Sequence, residues 1–447
     1  KESTMKTLFP KQTEAHDFFV SKLNEGNSTI DTSAVGTGKT VVAAHITKTL
    51  GCPVAVICPK SVIPAWEREL KETGIKPLFV TNYERIRMGK GVHMSKQGKK
   101  LMHWHLPEGT LVLVDEIHKC KSPFTQNAQL VISLIQQGFR VHGMSATACE
   151  DPTEMRSIGY MLGLHSLAKS IPASQESPAK SSWYSWMLRN GCDQDHWGKW
   201  YLEDKSFLGL LRGQIYGVTG HRLTVADFPD SFRANRVFVD PINFAGAKKI
   251  AKAYNELGIT PEIIDHYLEA EDAGDSDGVE NSAWMLVNIL RARQLAEAIK
   301  VPDLAEIADD LQLQGNSVVF FLNFRESIDA LCESLNCPSI QGGQSGEERQ
   351  QIIDDFQEDK IPILVINTAA GGTGLSLHDI NGNRPRVSLI SPAFSAKDYM
   401  QVLGRIHRNG AKSDAVQKVM VAAGSVEERV IQIITNKLDN LKRLHGQ

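Results

Sequence analysis

Residues 33–40 read Ser-Ala-Val-Gly-Thr-Gly-Lys-Thr, and this octet decides how the rest of the chain is interpreted. A short β-type segment precedes it and an amphipathic helical pattern follows. The backbone N–H groups of such a loop can turn towards an anion, Lys39 supplies a charge for the β- and γ-phosphates, and the Thr40 hydroxyl can bind Mg²⁺. A glycine-rich structural turn is the alternative, since Ser33 stands where the general pattern has its first glycine. The predicted nucleotide contacts are Gly36, Thr37, Gly38, Lys39 and Thr40.

Composition narrows the class of protein without deciding its function. A length of 447 residues predicts two or three domains, at roughly 150 residues each. No apolar run is long enough to span a membrane. The seven cysteines form no CxxC pair, which favours reduced thiols in an intracellular protein. The net charge of −3 argues neither for nor against nucleic acid, so a nucleic-acid binder of this composition must concentrate its basic residues locally.

Two further features complete a nucleotide-hydrolysis site. The apolar run from Thr110 to Val114 predicts a buried strand that ends in Asp115 and Glu116. In such a pair, Asp115 holds Mg²⁺ through water, and Glu116 orients and deprotonates the attacking water. Gln12 lies upstream of the loop, and its amide can pair with the edge of adenine; a plain surface glutamine is the alternative.

The second half of the chain again alternates predicted strands with helical patterns. Its apolar runs at 317–322, 361–366 and 386–390 are typical of buried strands. On the helical pattern that follows, Gln401, Arg405 and Arg408 are spaced i, i+4 and i+7 and therefore share one face. This row is either a solvated stripe or a set of side chains aimed at phosphates bound to the other domain.

Residues 85–105 contain six lysines and arginines and no acidic residue. We hypothesise that this hairpin or loop engages duplex nucleic acid through Lys96, Lys99 and Lys100, with Trp104 and the methionines pressing against an exposed base pair. A solvated basic loop without a role in binding is the alternative.

Taken together, the motifs resemble those of superfamily 2 helicases and translocases, and the resemblance covers nearly the whole chain. Order and spacing agree as well as the single motifs. The entry motif resembles that of the Swi/Snf-like branch, whereas Ser145-Ala146-Thr147 resembles unwinding helicases rather than chromatin remodellers. Motif II has Ile117 where alanine is usual. The compact chain also resembles phage-encoded helicases that remodel branched DNA. The matching stretches are 8–12 (entry), 33–40 (I), 58–66 (Ia), 81–84 (Ib), 115–118 (II), 145–147 (III), 323–324 (IV), 371–375 (V) and 401–408 (VI).

The resemblance implies an α/β protein with two tandem RecA-like domains, at 1–228 and 229–447, with a mainly helical elaboration at about 150–222. ATP and Mg²⁺ are the implied cofactors, and ATP is expected between the domains, with Thr40 and Asp115 at the metal. Arg405 and Arg408 are expected to stabilise charge on the transferring phosphoryl group. Gly374 and Gln401 join the expected nucleotide-binding residues.

The resemblance also implies that nucleic acid crosses the opposite edge of both domains. The expected partner is forked, branched or single-stranded DNA, bound by a monomer in the cytoplasm of a cell or phage host, with no membrane contact. A translocase that moves on duplex DNA without separating it, an RNA helicase and an ATP-gated clamp that does not hydrolyse ATP are the alternatives. The expected contacts are Lys60, Ser61, Thr81, Asn82, Asn323, Thr368 and Gly371.

Overall fold

A computed structural model shows two compact units, which are described separately. The first comprises Lys1–Asp227 with Asp439–Gln447, and the second comprises Phe228–Leu438. In the part of the chain that the structure describes, no helix is long and apolar enough to cross a membrane. The described residues are 6–89, 93–97, 101–121, 125–149, 151–170, 181–196, 198–228, 231–265, 282–371, 375–392 and 395–445.

The first unit is an α/β structure built on a parallel sheet. Its strands are β1 (Thr29–Asp31), β2 (Val54–Cys58), β3 (Phe79–Asn82), β4 (Met94–Gln97), β5 (Leu101–Trp104), β6 (Leu111–Asp115), β7 (Arg140–Met144), β8 (Cys192–Gln194), β9 (Trp200–Leu202) and β10 (Gly220–His221). Its α-helices are α1 (Pro10–Asn24), α2 (Lys39–Leu50), α3 (Ile63–Glu72), α4 (Tyr83–Arg87), α5 (Gln126–Gln136), α6 (Arg156–Met161), α7 (Trp183–Arg189) and α8 (Leu208–Ile215). Within the described residues, six strands pair in parallel in the order β10-β1-β7-β6-β2-β3.

The apolar runs of the sequence become the central strands of this sheet. Every residue of β2 is buried, and so are the first four residues of β6, because helices cover both faces of a parallel sheet. The strand ends are aligned: Asp31 lies beside Met144, Met144 beside Asp115, and Val114 beside Ile57. The carboxyl ends of β1, β7, β6 and β2 therefore meet at one edge of the sheet.

The elaboration at 150–222 contains more β-structure than the sequence predicts. Besides α6, α7 and α8 it includes the antiparallel pair β8–β9. Its last strand, β10, pairs with β1 through Ile30 and Gly220 and so belongs to the main sheet. A strand of two residues is too short to leave an alternating pattern in the sequence, which is why β10 is missed. Trp183 and Trp186 stack with ring centroids 5.6 Å apart and form part of the core.

Within the basic segment at 85–105, β4 and β5 pair antiparallel, and the apolar side chains of these strands lie elsewhere than our hypothesis places them. Met94, Met102 and Trp104 are buried in the core of the first unit. The Trp104 indole N–H donates to Ser133 Oγ at 2.8 Å, and its backbone N–H donates to Gln137 Oε1 at 2.8 Å. The expectation that Trp104 and these methionines press against a base pair is therefore wrong, because they pack against α5. Lys96 lies on β4, whereas Lys99 and Lys100 lie outside the described residues.

The second unit repeats the architecture. Its strands are β11 (Asn235–Phe238), β12 (Ser317–Leu322), β13 (Ser339–Ile340), β14 (Ile363–Asn367), β15 (Arg386–Ile390) and β16 (Ala415–Val419). Its α-helices include α9 (Ala247–Glu256), α10 (Ser282–Leu313), α11 (Arg325–Leu335), α12 (Gly346–Gln357), α13 (Thr368–Gly371) and α14 (Ala396–Ile406), and α15 (Glu427–His445) begins in this unit. Within the described residues these strands form one parallel sheet, β11-β16-β15-β12-β14-β13.

Strand β12 shows why an unbroken apolar run was the correct signal for this fold. Val318 and Phe320 point into one core of the second unit, and Val319 and Phe321 point into another on the opposite face of the sheet. The apolar runs of the sequence do not predict β11, β13 and β16. Strand β11 is exposed throughout, β13 has two residues, and β16 carries Gln417, which is fully buried and donates to Asn235 Oδ1 at 2.8 Å. The two parallel sheets flanked by helices confirm the predicted tandem α/β fold.

The burial of Trp104 leads to a stability prediction. Trp104 is 3% exposed, so Trp104→Ala should lower the free energy of unfolding of the first unit by about 3–5 kcal/mol. Met88, in the same basic segment, is 61% exposed, and Met88→Ala should change it by no more than about 0.5 kcal/mol. Urea unfolding of both variants measures this difference; equal effects would contradict the packing described.

Candidate active site

The loop at 33–40 connects β1 to α2, and hydrogen bonds of Ser33 fix where the loop begins. Asp31 Oδ1 accepts a hydrogen bond from Ser33 N at 2.8 Å, and Ser33 Oγ accepts one from Leu223 N at 2.9 Å. Gly36 and Gly38 adopt φ of 84° and 91°, in the left-handed region that glycine enters without strain. Helix α2 begins at Lys39, so its N-terminal N–H groups lie beside the loop and suit an anion.

Gln12 is in direct contact with this loop. Its Nε2 donates to Thr37 O at 2.7 Å, and its Oε1 accepts from Phe9 N at 3.0 Å, at the start of α1. A Cβ on Gly38 would stand 2.5 Å from Gln12 Nε2, so a side chain at position 38 would displace the Gln12 amide. Gln12 therefore joins the start of α1 to the loop through hydrogen bonds. Its contact with adenine stays a prediction.

Lys39 lies against the loop that precedes it. Its Nζ donates to Ser33 O at 2.7 Å and to Ala34 O at 3.1 Å. Burial lowers the pKa of Lys39, and the negative charges of Asp31, Glu116 and Asp115 oppose that effect. The ammonium group is thus held among carboxylates at the point where the loop would receive phosphates. Thr40 follows on the first turn of α2 and is partly exposed.

Asp115 and Glu116 end β6, as the sequence predicts. Asp115 Oδ1 accepts from Glu116 N at 2.9 Å, and Oδ2 accepts from the Trp66 indole N–H at 2.9 Å. Burial and the neighbouring Glu116 charge raise the pKa of Asp115 to about 6, against the bond from Trp66 and the charge of Lys39. Glu116 has φ 55°, a conformation that costs a non-glycine residue about 1–3 kcal/mol and that is common at active sites.

Behind the acidic pair, a polar chain joins motif II to motif III and to β1. His118 Nδ1 lies 3.1 Å from Glu116 Oε2 and 2.8 Å from Ser145 Oγ. Ser145 N donates to Asp31 O at 3.0 Å. Three neighbouring strands are therefore linked at their carboxyl ends, and His118 contacts the carboxylate of Glu116.

The donor set fits Mg²⁺. Asp115, Glu116 and Thr40 offer oxygen ligands, and the local negative charge favours a divalent cation. Among the described residues, no group of three or more His, Cys, Asp or Glu side chains is arranged to enclose a metal. That is the usual situation for Mg²⁺, which keeps several waters and binds one or two carboxylates together with substrate phosphates.

The predicted nucleic-acid contacts of the first unit lie along the same edge of the sheet as the loop at 33–40 and the acidic pair, and not at the opposite edge as expected. Lys60 and Ser61 follow β2 and are exposed, and Thr81 and Asn82 end β3 and are half-buried. Cys58 lies beside Asn82, so the two pairs belong to adjacent strand ends. Asn82 Oδ1 also accepts from Arg85 N at 2.9 Å and caps α4.

In the second unit, Asn323 and Thr368 follow two adjacent strands. Thr368 Oγ1 donates to Leu322 O at 3.0 Å, and Asn367 Nδ2 donates to Asn323 O at 3.2 Å. The Asn323 amide is itself bound to Glu297 Oε2 at 3.0 Å. Motifs IV and V are therefore brought together, although these side chains also hold the strand ends. Gly371 ends α13, and Gly374 lies outside the described residues.

The predicted helical face of motif VI is only partly correct. Gln401 and Arg405 lie on α14, where both are buried, but the helix ends at Ile406. His407 is extended and its Nε2 lies 3.0 Å from Arg233 O, so Arg408 does not continue the face. Arg408 instead donates from Nη1 to Ser376 Oγ at 2.8 Å and from Nε to Gly404 O at 3.0 Å. Burial lowers the pKa of Arg408 to about 10.

Four side chains of the first unit have roles that sequence reasoning did not assign. Trp66 and Tyr83 bind the acidic pair from α3 and α4, His118 supports Glu116, and Asp31 supports the loop. All four lie inside or beside recognised motifs, so proximity to a motif was the available signal. The contacts of Trp66 and Tyr83 with the acidic pair join residues that are distant in the sequence, and no local pattern reveals those.

Comparison with known proteins supports a helicase. Residues 299–410 match the family described as Helicase conserved C-terminal domain. The chain is 29% identical over 465 residues to a protein named ATP-dependent RNA helicase L364 from Acanthamoeba polyphaga mimivirus, covering 99% of this chain and 84% of that protein. It is 25% identical to the SNF2 domain-containing protein ENL1 of Oryza sativa subsp. japonica, over 40% of this chain and 20% of that protein. It is 27% identical to the DNA repair and recombination protein RAD54-like of Drosophila erecta, over 40% of this chain and 23% of that protein.

The surroundings of Lys39 predict the effect of removing its charge. Lys39→Ala should lower the rate of ATP hydrolysis at least about a hundredfold, since the ammonium group that faces Asp31, Glu116 and Asp115 beside the loop is lost. Affinity for nucleic acid should stay within about threefold, because Lys60 and Ser61 lie on other strand ends. Lys48→Ala, at the exposed far end of α2, is the control. Phosphate release and DNA binding measure the two effects; a variant with normal hydrolysis would remove Lys39 from the site.

Proposed function

The chain belongs to superfamily 2 of the helicases, in the Swi/Snf-like branch, and hydrolyses ATP; from this premise we propose that it translocates on DNA and unwinds or branch-migrates forked or branched DNA. One observation carries the proposal. The phosphate-binding loop, the acidic pair and the exposed Lys60 and Ser61 follow β1, β6 and β2, whose carboxyl ends share one edge of one sheet. Hydrolysis and nucleic-acid contact can therefore act on the same rigid element.

The residues of the candidate site in the first unit have separate roles in ATP hydrolysis. Lys39 and the N-terminus of α2 bind and orient phosphates, and Asp115 with Thr40 would hold Mg²⁺, which supplies positive charge to the phosphate oxygens. Glu116 accepts a proton from the attacking water, and the His118 contact at 3.1 Å fixes the direction in which its carboxylate points. The family resemblance predicts that Arg405 and Arg408 act in phosphoryl transfer, and this role stays a prediction.

The nucleic acid is proposed to be DNA, and the work to be replication, recombination or repair by a monomer. The RAD54-like relative, by its name a DNA repair and recombination protein, supports this choice. Lys60, Ser61, Thr81 and Asn82 suit phosphates, which give grip without sequence preference. None of the seven cysteines forms a disulfide in the described residues, and we propose the reducing cytoplasm as the compartment.

An RNA helicase is the second candidate, and a specific observation favours it. The mimivirus protein, which is named an RNA helicase, matches 99% of this chain, whereas the DNA-repair relative matches 40%. A translocase that leaves the duplex intact and an ATP-gated clamp are further alternatives, which strand-displacement and hydrolysis assays exclude or support directly.

ATP hydrolysis in the presence of single-stranded, duplex, forked and four-way DNA, and of RNA of matched sequence, tests the proposal. We expect forked or four-way DNA to raise the hydrolysis rate at least about tenfold and more than RNA does, with strand separation that requires ATP. Stimulation by RNA alone would establish the second candidate. Stimulation by duplex DNA without strand separation would establish a duplex translocase, and a chain that binds DNA but does not hydrolyse ATP would be a clamp.

A further inference from the structure

Trp66 links α3 to the acidic pair. It lies one turn into α3, whose start is joined directly to the exposed Lys60 and Ser61 by the 3₁₀ turn Lys60–Val62. The side chain is 1% exposed, and its indole N–H donates to Asp115 Oδ2 at 2.9 Å. An indole has a single polar donor, so this bond fixes the orientation of the ring and of the carboxylate together.

Tyr83 makes a second link from the next strand. It is the first residue of α4, directly after Asn82, and it is 1% exposed. Its hydroxyl donates to Asp115 O at 2.6 Å, with Glu116 O 3.4 Å away. Because Asn82 caps α4, the position of Asn82 determines where Tyr83 stands, and so where its hydroxyl meets the backbone of the acidic pair.

The two links share a direction. Each begins at a residue pair that we propose binds nucleic acid, passes through one buried, rigid aromatic ring and ends on Asp115 or Glu116. Both rings lie in a close-packed interior, which transmits small displacements instead of absorbing them. A displacement of α3 or α4 that accompanies nucleic-acid binding must therefore move the acidic pair or break a buried hydrogen bond, which is costly.

We propose that Trp66 and Tyr83 are positioning residues through which nucleic acid, bound at Lys60–Ser61 and Thr81–Asn82, sets the geometry of Asp115 and Glu116 and so stimulates ATP hydrolysis. The inference rests on the proposed function. Thermodynamic linkage adds a consequence: since bound nucleic acid alters the nucleotide site, bound nucleotide alters nucleic-acid affinity through the same two side chains.

Four conservative variants test this inference in the full chain. Trp66→Phe removes the indole N–H and Tyr83→Phe removes the hydroxyl, and both keep an aromatic ring. Trp186→Phe is the matched control for the first, since Trp186 is 4% exposed and donates to Gln214 Oε1 at 2.9 Å, away from the acidic pair. Tyr254→Phe, a fully buried tyrosine of the second unit, is the control for the second.

The first readout is the stimulation factor, the ratio of the hydrolysis rate with saturating forked DNA to the rate without it. Basal hydrolysis should fall in Trp66→Phe and Tyr83→Phe because Asp115 loses a donor, but the stimulated rate should fall further. The factor should drop about tenfold, which is about the contribution of one intramolecular hydrogen bond. The second readout is the change in DNA affinity between the protein without nucleotide and the protein with a non-hydrolysable ATP analogue, which should shrink in the same two variants and persist in both controls.

The outcomes separate the inference from the proposed function. If neither DNA nor RNA stimulates the parent protein, the proposed function fails and the inference fails with it. If the parent is stimulated but the two variants lose basal and stimulated rates equally, or lose neither, only the inference is overturned. A fall in melting temperature of Trp66→Phe beyond that of Trp186→Phe would make Tyr83→Phe, which removes a single oxygen atom, the deciding variant.

Discussion

The parallel alignment of β1, β7, β6 and β2 is the constraint on which the rest of the first unit depends. Residues in register across these strands place Asp31, Met144 and Asp115 side by side, so that each strand delivers the following residues to the same edge. Parallel strands have their carboxyl ends at one edge by necessity, and helices on both faces keep that edge open to ligands. The loop that is predicted to bind phosphate, the acidic pair and Ser145 thus assemble although they are spread over residues 33–145 of the sequence.

This assembly gathers charge in a buried place, which is unfavourable unless the charges are compensated. Lys39 lies among Asp31, Asp115 and Glu116, and burial raises the pKa of Asp115 to about 6. The bonds from Trp66 and from the backbone of Glu116 offset part of that cost, and bound phosphate and Mg²⁺ would rearrange the rest. With Lys39 and Arg222 beside three acids, the site is suited to a ligand that brings both an anion and a divalent cation.

Much of the fold could be predicted because the decisive signals are local. The strands β2, β6 and β12 are recognisable as apolar runs because they are buried on both faces of a sheet. The loop at 33–40 is recognisable by its glycines, because its backbone enters the left-handed region there. Local signals fail where partners are distant. The basic segment suggests a surface role for Trp104, but α5 covers this side chain. The polar Gln417 hides strand β16 in the sequence, because its buried partner Asn235 is distant. The predicted helical face of motif VI breaks because α14 ends at Ile406, where His407 contacts Arg233 O. Ile117, an unusual residue in motif II, fits because Gly143 leaves room: a Cβ there would stand 2.4 Å from Ile117 Cδ1.

The central claim is that the acidic pair at the end of β6 hydrolyses ATP, and Glu116→Gln tests it most directly. The amide keeps the shape of the side chain and can still contact His118, but it cannot accept a proton from water. Single-turnover hydrolysis should fall at least about a hundredfold while ATP affinity stays within about threefold, and the exposed Glu67→Gln should match the parent protein. Hydrolysis by Glu116→Gln at the parental rate would contradict the account.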